Sequence, residues 1–146
     1  MLAPAMRRAV EYTLEECTAR GIDAIVHETY REHATAVAYY KRGRTQKPPL
    51  VRVTNAPDET WSWHGYGLGV DIISRAKGWN VGRTWHAMVA EIAKRHGLKS
   101  GIDWTSPDLP HHQWGRCKAT PSDEARRILR EQGLPAVWRA VGADEP

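Results

Sequence analysis

Apolar side chains recur at helical spacing near the start of the chain. Val10, Leu14 and Cys17 are three and four positions apart. This spacing predicts a helix over residues 4–20 because such positions share one face of a helix. Gly21 follows directly and is a typical residue just past a helix end.

Two further helical patterns occupy the second half of the chain. Thr84 is expected to cap a helix that runs over residues 84–96. The apolar face of this helix is expected to hold Trp85, Met88, Val89 and Ile92. Ser122 is expected to cap a helix that ends near Gln132, and residues 135–141 are expected to add a last helical turn or two.

Short apolar and β-branched stretches between these helices predict strands. They cover residues 22–29, 50–54, 69–73 and 111–114. Residues 30–44 mix helix formers with two adjacent tyrosines, so both a helix and a long loop remain open there. Helices toward the ends with short strands between them predict an α+β fold, with a small, mostly antiparallel sheet in a single domain.

Composition narrows the class of protein. The chain has 146 residues, of which 41% are hydrophobic and 26% charged, which suits one soluble globular domain and argues against disorder. No apolar run approaches the roughly 18 residues that span a bilayer. Arg7 and Arg8 precede no apolar stretch of the kind found in secretory signals, so none is expected. The net charge of +4 fits an anionic partner such as a wall polymer, a nucleic acid or a membrane surface.

The aromatic residues are unusual in kind. The chain has seven Trp and five Tyr but no Phe, so every aromatic ring carries a polar group. Such rings suit clefts and surfaces better than a fully dry core. Trp61, Trp63, Trp104 and Trp114 lie in or beside the two segments that carry the candidate chemistry, whereas Trp79, Trp85 and Trp138 do not. Core packing is the expected role of Trp85 and Trp138.

The first of these segments, SWHGYGLGVD at residues 62–71, contains His64 and Asp71 with three glycines between them. An ionised aspartate in an apolar strand is costly unless a cation or a hydrogen-bond donor pairs with it. A metal ion would satisfy Asp71. The alternative is that Asp71 accepts hydrogen bonds from the backbone or from Ser62, while His64 is a solvated loop residue.

The second segment, DLPHHQW at residues 108–114, supplies Asp108, His111 and His112. Two histidines and one aspartate form a ligand set that zinc accepts, with a fourth position left open for water. A carboxylate that does not bind the metal is then needed to move protons, and Asp108 is the spare one. Asp108 could instead cap a turn after Pro107.

Together the two segments resemble the zinc D-alanyl-D-alanine carboxypeptidase and L-alanyl-D-glutamate endopeptidase family. SWHGYGLGVD is similar to the family motif SxHxxGxAxD, and DLPHHQW is similar to its downstream element, which in endolysin-type members from phages reads DxPHFQ. Five further stretches resemble family segments: GIDAIVHETYR, GRT at residues 43–45, VTNAPDETWSWH, HGLKSGIDW and GLPAVWRAVG. The resemblance covers most of the chain and implies a Hedgehog/DD-peptidase-like fold.

The resemblance also implies roles for individual residues. His64, Asp71 and His111 would bind one zinc ion, and Asp108 would be the general base. Arg31 would stabilise the oxyanion or hold a substrate carboxylate, although a surface ion pair with Glu28 or Glu32 is the ordinary alternative. Ser62 would fix the ligand loop or contact substrate. The remaining expected substrate contacts are Trp61, Tyr30 and His112, and the expected cleft walls are Trp61, Trp63 and Tyr66.

Two positions depart from the family pattern. The alanine two residues before the aspartate is Gly69 here, which loosens the strand slightly and should be tolerated. The phenylalanine after the third ligand is His112, so either His111 or His112 could reach the metal. Neighbouring residues of a strand point to opposite faces, so both should not bind it. The Asp-x-x-His spacing selects His111 and leaves His112 to bind substrate or to pack.

The resemblance implies an endolysin-type zinc peptidase that cuts peptidoglycan stem peptides at the L-Ala–D-Glu bond. The alternatives are a D-Ala-D-Ala carboxypeptidase and a non-catalytic zinc-containing module that binds peptidoglycan. Nucleic-acid binding is disfavoured because Lys and Arg are scattered and no usual motif occurs. Two free thiols are favoured for Cys17 and Cys117, although a disulfide between them stays open.

The expected setting follows from the same resemblance. The protein would be a monomer made in the host cytoplasm, without stable membrane insertion and without a separate wall-binding domain. It would act in the periplasm and cell wall once a membrane-permeabilising partner releases it.

Overall fold

The computed structural model describes residues 1–42, 54 and 56–146. In this part of the chain the helices are α1 (Pro4–Ala19), α2 (His33–Lys41), α3 (Arg83–Arg95), α4 (Asp123–Gln132) and α5 (Leu134–Ala140). The strands are β1 (Ala24–Glu28), β2 (Gly69–Ser74), β3 (Leu98–Ser100) and β4 (His111–Trp114). Short 3₁₀ turns lie at Glu59–Trp61, Trp63–Tyr66 and Gly101–Asp103. The strand predicted at 50–54, except for Thr54, and the GRT stretch at 43–45 lie outside the described residues.

The four strands form one sheet in the order β1-β2-β4-β3, and each neighbouring pair is antiparallel. The predicted α+β class with a small antiparallel sheet in a single domain is therefore confirmed. Strand β3 is not among the strands predicted from the sequence, because its three residues are too few to show an alternating pattern. The open choice for residues 30–44 is decided in favour of a helix, since α2 spans His33–Lys41.

Strand alternation divides the central strands into two faces. Val70 and Ile72 of β2 are fully buried in the core, as is His112 of β4. Asp71 pairs with His111 across the two strands and lies on the opposite face. The core is completed by side chains of α1, α3 and α5, among them Met6, Val89, Ile92 and Val137. The sheet therefore keeps apolar packing on one face and leaves the other for polar chemistry.

Helix α3 differs from its prediction at two positions. The helix begins at Arg83, after Gly82 with a φ of 87°, so Thr84 lies inside the first turn and does not cap it. Met88 is 44% exposed, and His86 is buried instead. The α4 prediction is confirmed, because the hydroxyl of Ser122 accepts a hydrogen bond from the Ala125 N–H at 3.0 Å.

Both cysteines are buried and free, as favoured from the sequence. Burial raises the pKa of the Cys17 thiol to about 11 and that of Cys117 to about 12, so both thiols are neutral at physiological pH. Trp85 and Trp138 are partly buried against the core, as expected for packing residues. None of the helices in the described ranges has the length and apolarity needed to cross a membrane.

Candidate metal centre

Three polar side chains meet on the face of the sheet opposite the core. His64 comes from the 3₁₀ turn Trp63–Tyr66, Asp71 from the middle of β2, and His111 from the first position of β4. The strand register places Asp71 directly opposite His111. All three are buried, and one ligand atom from each lies within 4.8 Å of the others. The structure thus brings together the three residues expected to bind a metal.

The distances within this cluster suit a tetrahedral ion. The Nε2 atom of His64 lies 3.4 Å from Oδ1 of Asp71 and 3.3 Å from Nδ1 of His111. The third edge, from His111 Nδ1 to Asp71 Oδ1, is 3.7 Å. Ligands bonded at about 2.0–2.1 Å in a tetrahedral zinc site are about 3.3–3.4 Å apart. The donor set and its spacing therefore fit zinc, with one tetrahedral position left for another ligand.

The outward nitrogens of both histidines have acceptors. Nδ1 of His64 lies 2.9 Å from the carbonyl oxygen of Thr29, to which it donates. Nε2 of His111 lies 2.8 Å from Oε1 of Gln113. These contacts leave Nε2 of His64 and Nδ1 of His111 directed toward Asp71. The two rings thus offer different nitrogen atoms to the centre of the cluster.

The cluster holds Asp71 in its charged form. Burial by itself would raise the pKa of Asp71, but His111 and His64 beside it outweigh burial and hold that pKa well below its usual range. Burial would also lower the pKa of His64, yet the Asp71 carboxylate raises it above the ordinary value. A buried carboxylate that attracts positive charge this strongly is suited to a cation.

The loop that carries His64 is shaped by a close backbone approach. A Cβ atom at Gly65 would overlap the carbonyl oxygen of Glu59, so only glycine lets the two successive 3₁₀ turns meet. The Ser62 hydroxyl accepts a hydrogen bond from the His64 N–H at 3.3 Å, and Ser62 also lines the cavity. Ser62 is thus placed both to fix the ligand loop and to meet a bound molecule.

Asp108 lines the same cavity as the three clustered residues without belonging to the cluster. Its backbone N–H donates to the carbonyl of Gly101 at 2.9 Å, and a Cβ at Gly101 would overlap the Asp108 carbonyl oxygen. Although the residue as a whole is exposed, the cavity walls desolvate its carboxyl group. This desolvation and the charge of Asp71 raise the pKa of Asp108 against the opposing effect of His111.

Arg31 is buried at the edge of the cavity, which it also lines. Its Nε donates to Glu28 at 2.7 Å, and its backbone N–H donates to the carbonyl of His64 at 3.0 Å. The guanidinium also lies over the ring of Tyr39, 5.1 Å from its centroid. The ion pair with Glu28 considered from the sequence therefore exists, and it holds a cation beside the metal cluster.

The cavity has a volume of about 510 Å³ and four tryptophans in its wall. Trp61 and Trp63 line it as predicted, and Trp104 lies with its ring centroid 5.1 Å from that of His111. The fourth is Trp79, which the sequence analysis had left outside the cleft. Trp61 stacks on the buried Arg126, whose guanidinium lies 3.6 Å from the ring centroid.

Three aromatic residues of the two candidate segments lie away from the cavity wall. Tyr66, expected as a cleft wall, is fully buried, and its hydroxyl donates to the Thr60 carbonyl. His112 is fully buried on the core face, so of the two roles left open for it the structure shows packing and no contact with the cavity. The indole N–H of Trp114 donates to Val141. Like these three, Tyr30 is absent from the described lining of the cavity, and its contact with substrate stays a prediction.

Three residues that shape the site are not predicted from the sequence. Trp79 lies in a turn after β2, and its place in the cleft depends on long-range folding. Gln113 lies two positions after His111 on the same face of β4, a spacing that could have indicated it. Gly101 precedes Asp108 by seven residues, and no local pattern shows that their backbones touch.

The comparisons with known proteins agree with this geometry. Residues 55–114, which include the three clustered residues and Asp108, match the D-alanyl-D-alanine carboxypeptidase family. The peptidoglycan L-alanyl-D-glutamate endopeptidase CwlK of Bacillus subtilis (strain 168) is 29% identical to the chain, over 75% of the chain and 71% of CwlK. The predicted resemblance to this peptidase family is confirmed. Peptidases of this family depend on zinc, and the His-Asp-His cluster can bind a metal.

Three solved structures share the fold of this chain. A vancomycin-resistance D,D-pentapeptidase, VanY, in complex with Zn(II), matches with a TM-score of 0.51 at 23% identity, over 88% of this chain and 78% of VanY. The LD-carboxypeptidase LdcB matches with a TM-score of 0.61 at 13% identity, over 99% of this chain and 70% of LdcB. VanYB in complex with D-alanine-D-alanine matches with a TM-score of 0.51 at 21% identity, over 96% of this chain and 82% of VanYB.

Proposed function

We propose that this protein is a zinc metallopeptidase that hydrolyses peptidoglycan stem peptides between L-alanine and D-glutamate. The observation that carries the proposal is the His64, Asp71 and His111 triangle, with Asp108 and Arg31 on the wall of the same cavity. The choice of bond is supported by the similarity to CwlK, which is named for this activity.

His64, Asp71 and His111 would hold the zinc ion. Zinc in such a site supplies Lewis-acid polarisation and makes water more acidic. The three side chains themselves set the charge of the site, because two neutral imidazoles and one carboxylate leave it with a net positive charge when a divalent ion is bound. Their burial excludes competing water from the ligand atoms.

Asp108 is proposed to be the general base and then the general acid. Its carboxylate takes a proton from the attacking water as the oxygen–carbon bond forms at the scissile carbonyl. It then gives that proton to the departing nitrogen as the carbon–nitrogen bond breaks, so the carboxylate is regenerated. Desolvation raises the pKa of Asp108; a cation held by the three ligands would oppose that rise and favour the ionised base.

Arg31 is proposed to stabilise the negative charge that develops on the carbonyl oxygen. Its guanidinium is fixed by Glu28 and Tyr39, so it does not have to reorganise when the charge appears. Trp61 and Trp79 are proposed substrate contacts, because both are large, exposed and part of the cavity wall.

The wider role proposed for the enzyme is degradation of bacterial cell wall during lysis, as an endolysin. Action at the wall follows from the substrate proposed, and release by a membrane-permeabilising partner is part of the same proposal. The net charge of +4 supports this role because the stem peptide carries carboxylates.

A D-alanyl-D-alanine carboxypeptidase is the second candidate. One observation favours it: a buried arginine beside the metal cluster is suited to hold the terminal carboxylate of such a substrate. The two reactions use the same cluster and the same base. They differ in which peptide bond reaches the cluster.

Mass spectrometry of peptidoglycan fragments distinguishes these candidates. Purified protein is incubated with isolated peptidoglycan, with and without a chelator, and the released peptides are sequenced. New amino-terminal D-glutamate is expected, and it should disappear with the chelator and return when zinc is added. Loss of only a terminal D-alanine would support the second candidate. No cleavage of either bond with zinc present would refute both.

A further inference from the structure

Gln113 has a buried amide beside the metal cluster, and the mechanism proposed above assigns it no role. Its side chain is 1% exposed and lies on the cavity face of β4, two residues after His111. Its Oε1 lies 2.8 Å from Nε2 of His111, and its Nε2 lies 2.7 Å from the carbonyl oxygen of Lys118. The amide therefore joins a ring of the metal cluster to the backbone of the loop after β4.

The Lys118 carbonyl decides which way this amide points. A carbonyl oxygen can only accept hydrogen bonds, so the NH₂ group of Gln113 must face it. The same carbonyl also accepts the indole N–H of Trp63 at 2.7 Å, which fixes its position against the cleft wall. In the reverse orientation, the Gln113 oxygen would face the Lys118 oxygen without a proton between them. Burial makes that arrangement costly.

The orientation of the amide in turn fixes the proton on His111. Because Oε1 of Gln113 can only accept, Nε2 of His111 must carry the hydrogen. A neutral imidazole has one such hydrogen, so Nδ1 keeps its lone pair, and Nδ1 is the atom that lies 3.3 Å from His64 Nε2 and 3.7 Å from Asp71 Oδ1. The metal-binding nitrogen is thereby selected before any ion arrives.

We propose that Gln113 is a positioning residue that preorganises the metal site. The Lys118 carbonyl fixes the orientation of its amide, and the amide oxygen in turn fixes the tautomer of His111. Partners of this kind orient metal-binding histidines, and their loss typically weakens metal affinity by about 10–100-fold. The inference rests on the metal centre proposed above but not on the bond that the enzyme cleaves.

Nitrogen NMR of the metal-free protein tests the inference directly. Long-range nitrogen–proton correlations report which ring nitrogen of His111 is protonated. Wild-type protein is expected to carry the proton on Nε2. Gln113→Leu removes both hydrogen bonds and is expected to give a mixture of the two tautomers, and zinc affinity, measured by competition with a chelator, is expected to fall about 10–100-fold.

Two further variants separate positioning from mere stability. Gln113→Glu keeps an acceptor for His111 but loses the donor to the Lys118 carbonyl, so it should keep the proton on Nε2 while lowering stability. Thr13→Val removes a buried hydroxyl hydrogen bond from α1, far along the chain from the cluster, and should lower stability while leaving the tautomer and the zinc affinity as in wild type.

A proton on Nδ1 in metal-free wild type would overturn the inference, even if Gln113→Leu does not fold. Unchanged tautomer and zinc affinity in folded Gln113→Leu would overturn it too. Both readouts need no substrate. A protein that shows them as expected but cleaves no peptide would refute the proposed function alone.

Discussion

Asp71 and Asp108 are two carboxylates at one cavity with opposite surroundings. Asp71 lies between two imidazoles that hold its pKa low, so it remains a charged partner for a cation. Asp108 lies outside the triangle of ligand atoms, and desolvation raises its pKa. The surroundings of Asp108 suit a group that takes and gives protons, because its charged and neutral forms are closer in free energy near neutral pH.

Replacing Asp108 by asparagine tests this division of roles. Asp108→Asn keeps the size of the side chain but removes the proton acceptor, so kcat should fall by about 10²–10⁴-fold. Zinc affinity should stay near the wild-type value because the three ligands are untouched. Asp103→Asn is the matched control, since Asp103 is exposed and pairs with Lys94. Full peptidase activity in Asp108→Asn, measured with a soluble stem peptide, would rule out the base assignment.

Trp79 is 48% exposed but firmly held. Its ring makes an edge contact with His27 at 4.9 Å between centroids, and the turn before it is fixed by Asp23, which accepts hydrogen bonds from Ser74 and Ala76. A rigid exposed aromatic ring in a cavity wall suits binding, since little conformational freedom is lost when substrate arrives.

Trp79→Ala should therefore raise KM, by about tenfold, with a much smaller change in kcat. Steady-state kinetics on a soluble stem peptide measure both constants. Met88→Ala is the control, because Met88 is similarly exposed on α3 and is not part of the cavity wall. A fall in kcat with KM unchanged would argue against a binding role for Trp79.

At the scale of elements, the position of the proposed base depends on a short 3₁₀ turn. The turn Gly101–Asp103 follows β3 directly, and its first residue touches the backbone of Asp108. β3 pairs with β4, so the same pair of strands supports both His111 and the contact to Asp108. The base and one ligand are thus held in register by the strand pairing, together with the hydrogen bond from the His111 N–H to the Asp108 carbonyl at 3.2 Å.

Gly101→Ala should disturb this arrangement. Its new Cβ would overlap the Asp108 carbonyl oxygen and push the base away from the cavity. A displacement of about 1 Å can cost on the order of 10²-fold in rate, so kcat should fall strongly while zinc affinity is kept. Gly142→Ala, at a positive φ and with a Cβ that would overlap the Arg116 guanidinium, is the control for strain outside the β3–β4 pair. An equal loss of kcat in both variants would contradict the specific role of Gly101.

The elements also show what the sequence could and could not reveal. β2, β4 and α4 were predicted because alternation and an N-cap are local signals, and the ligand residues lie in two short segments with such signals. β3 has only three residues, too few for a pattern. The contacts of His64 with Thr29 and of Gln113 with Lys118 are set by tertiary structure, which single-sequence spacing does not encode.

At the scale of the whole molecule, the sheet separates an apolar core from the polar cleft, but two imidazoles lie on the core side. His86 and His112 are both buried, and within the described residues neither His86 Nδ1 nor His112 Nε2 has a hydrogen-bond partner. Burial lowers the pKa of His86, and it lowers that of His112 to about 4. Both rings are therefore neutral in the folded protein at pH values where an unfolded histidine is charged.

This difference predicts how stability depends on pH. An unfolded histidine has a pKa of about 6.5, so below that value the unfolded chain binds a proton that the folded protein does not. The free energy of unfolding should therefore fall between pH 7 and pH 4, with His112 contributing at most about 3 kcal/mol. His112→Phe should lose this contribution. Chemical denaturation with a chelator present should show a shallower acid dependence than in wild type, and identical slopes would contradict the assignment.

The use of different nitrogens by the two histidines has a consequence for redesign of the centre. Nδ1 of His111 is two bonds beyond Cβ, as is the oxygen of an aspartate, whereas Nε2 of His64 is three bonds beyond Cβ, as is the oxygen of a glutamate. An aspartate can therefore reach the same point from position 111, whereas position 64 needs a longer donor such as glutamate. The two histidines are not interchangeable, and a centre rebuilt for a harder metal that prefers oxygen would begin with a carboxylate at position 111.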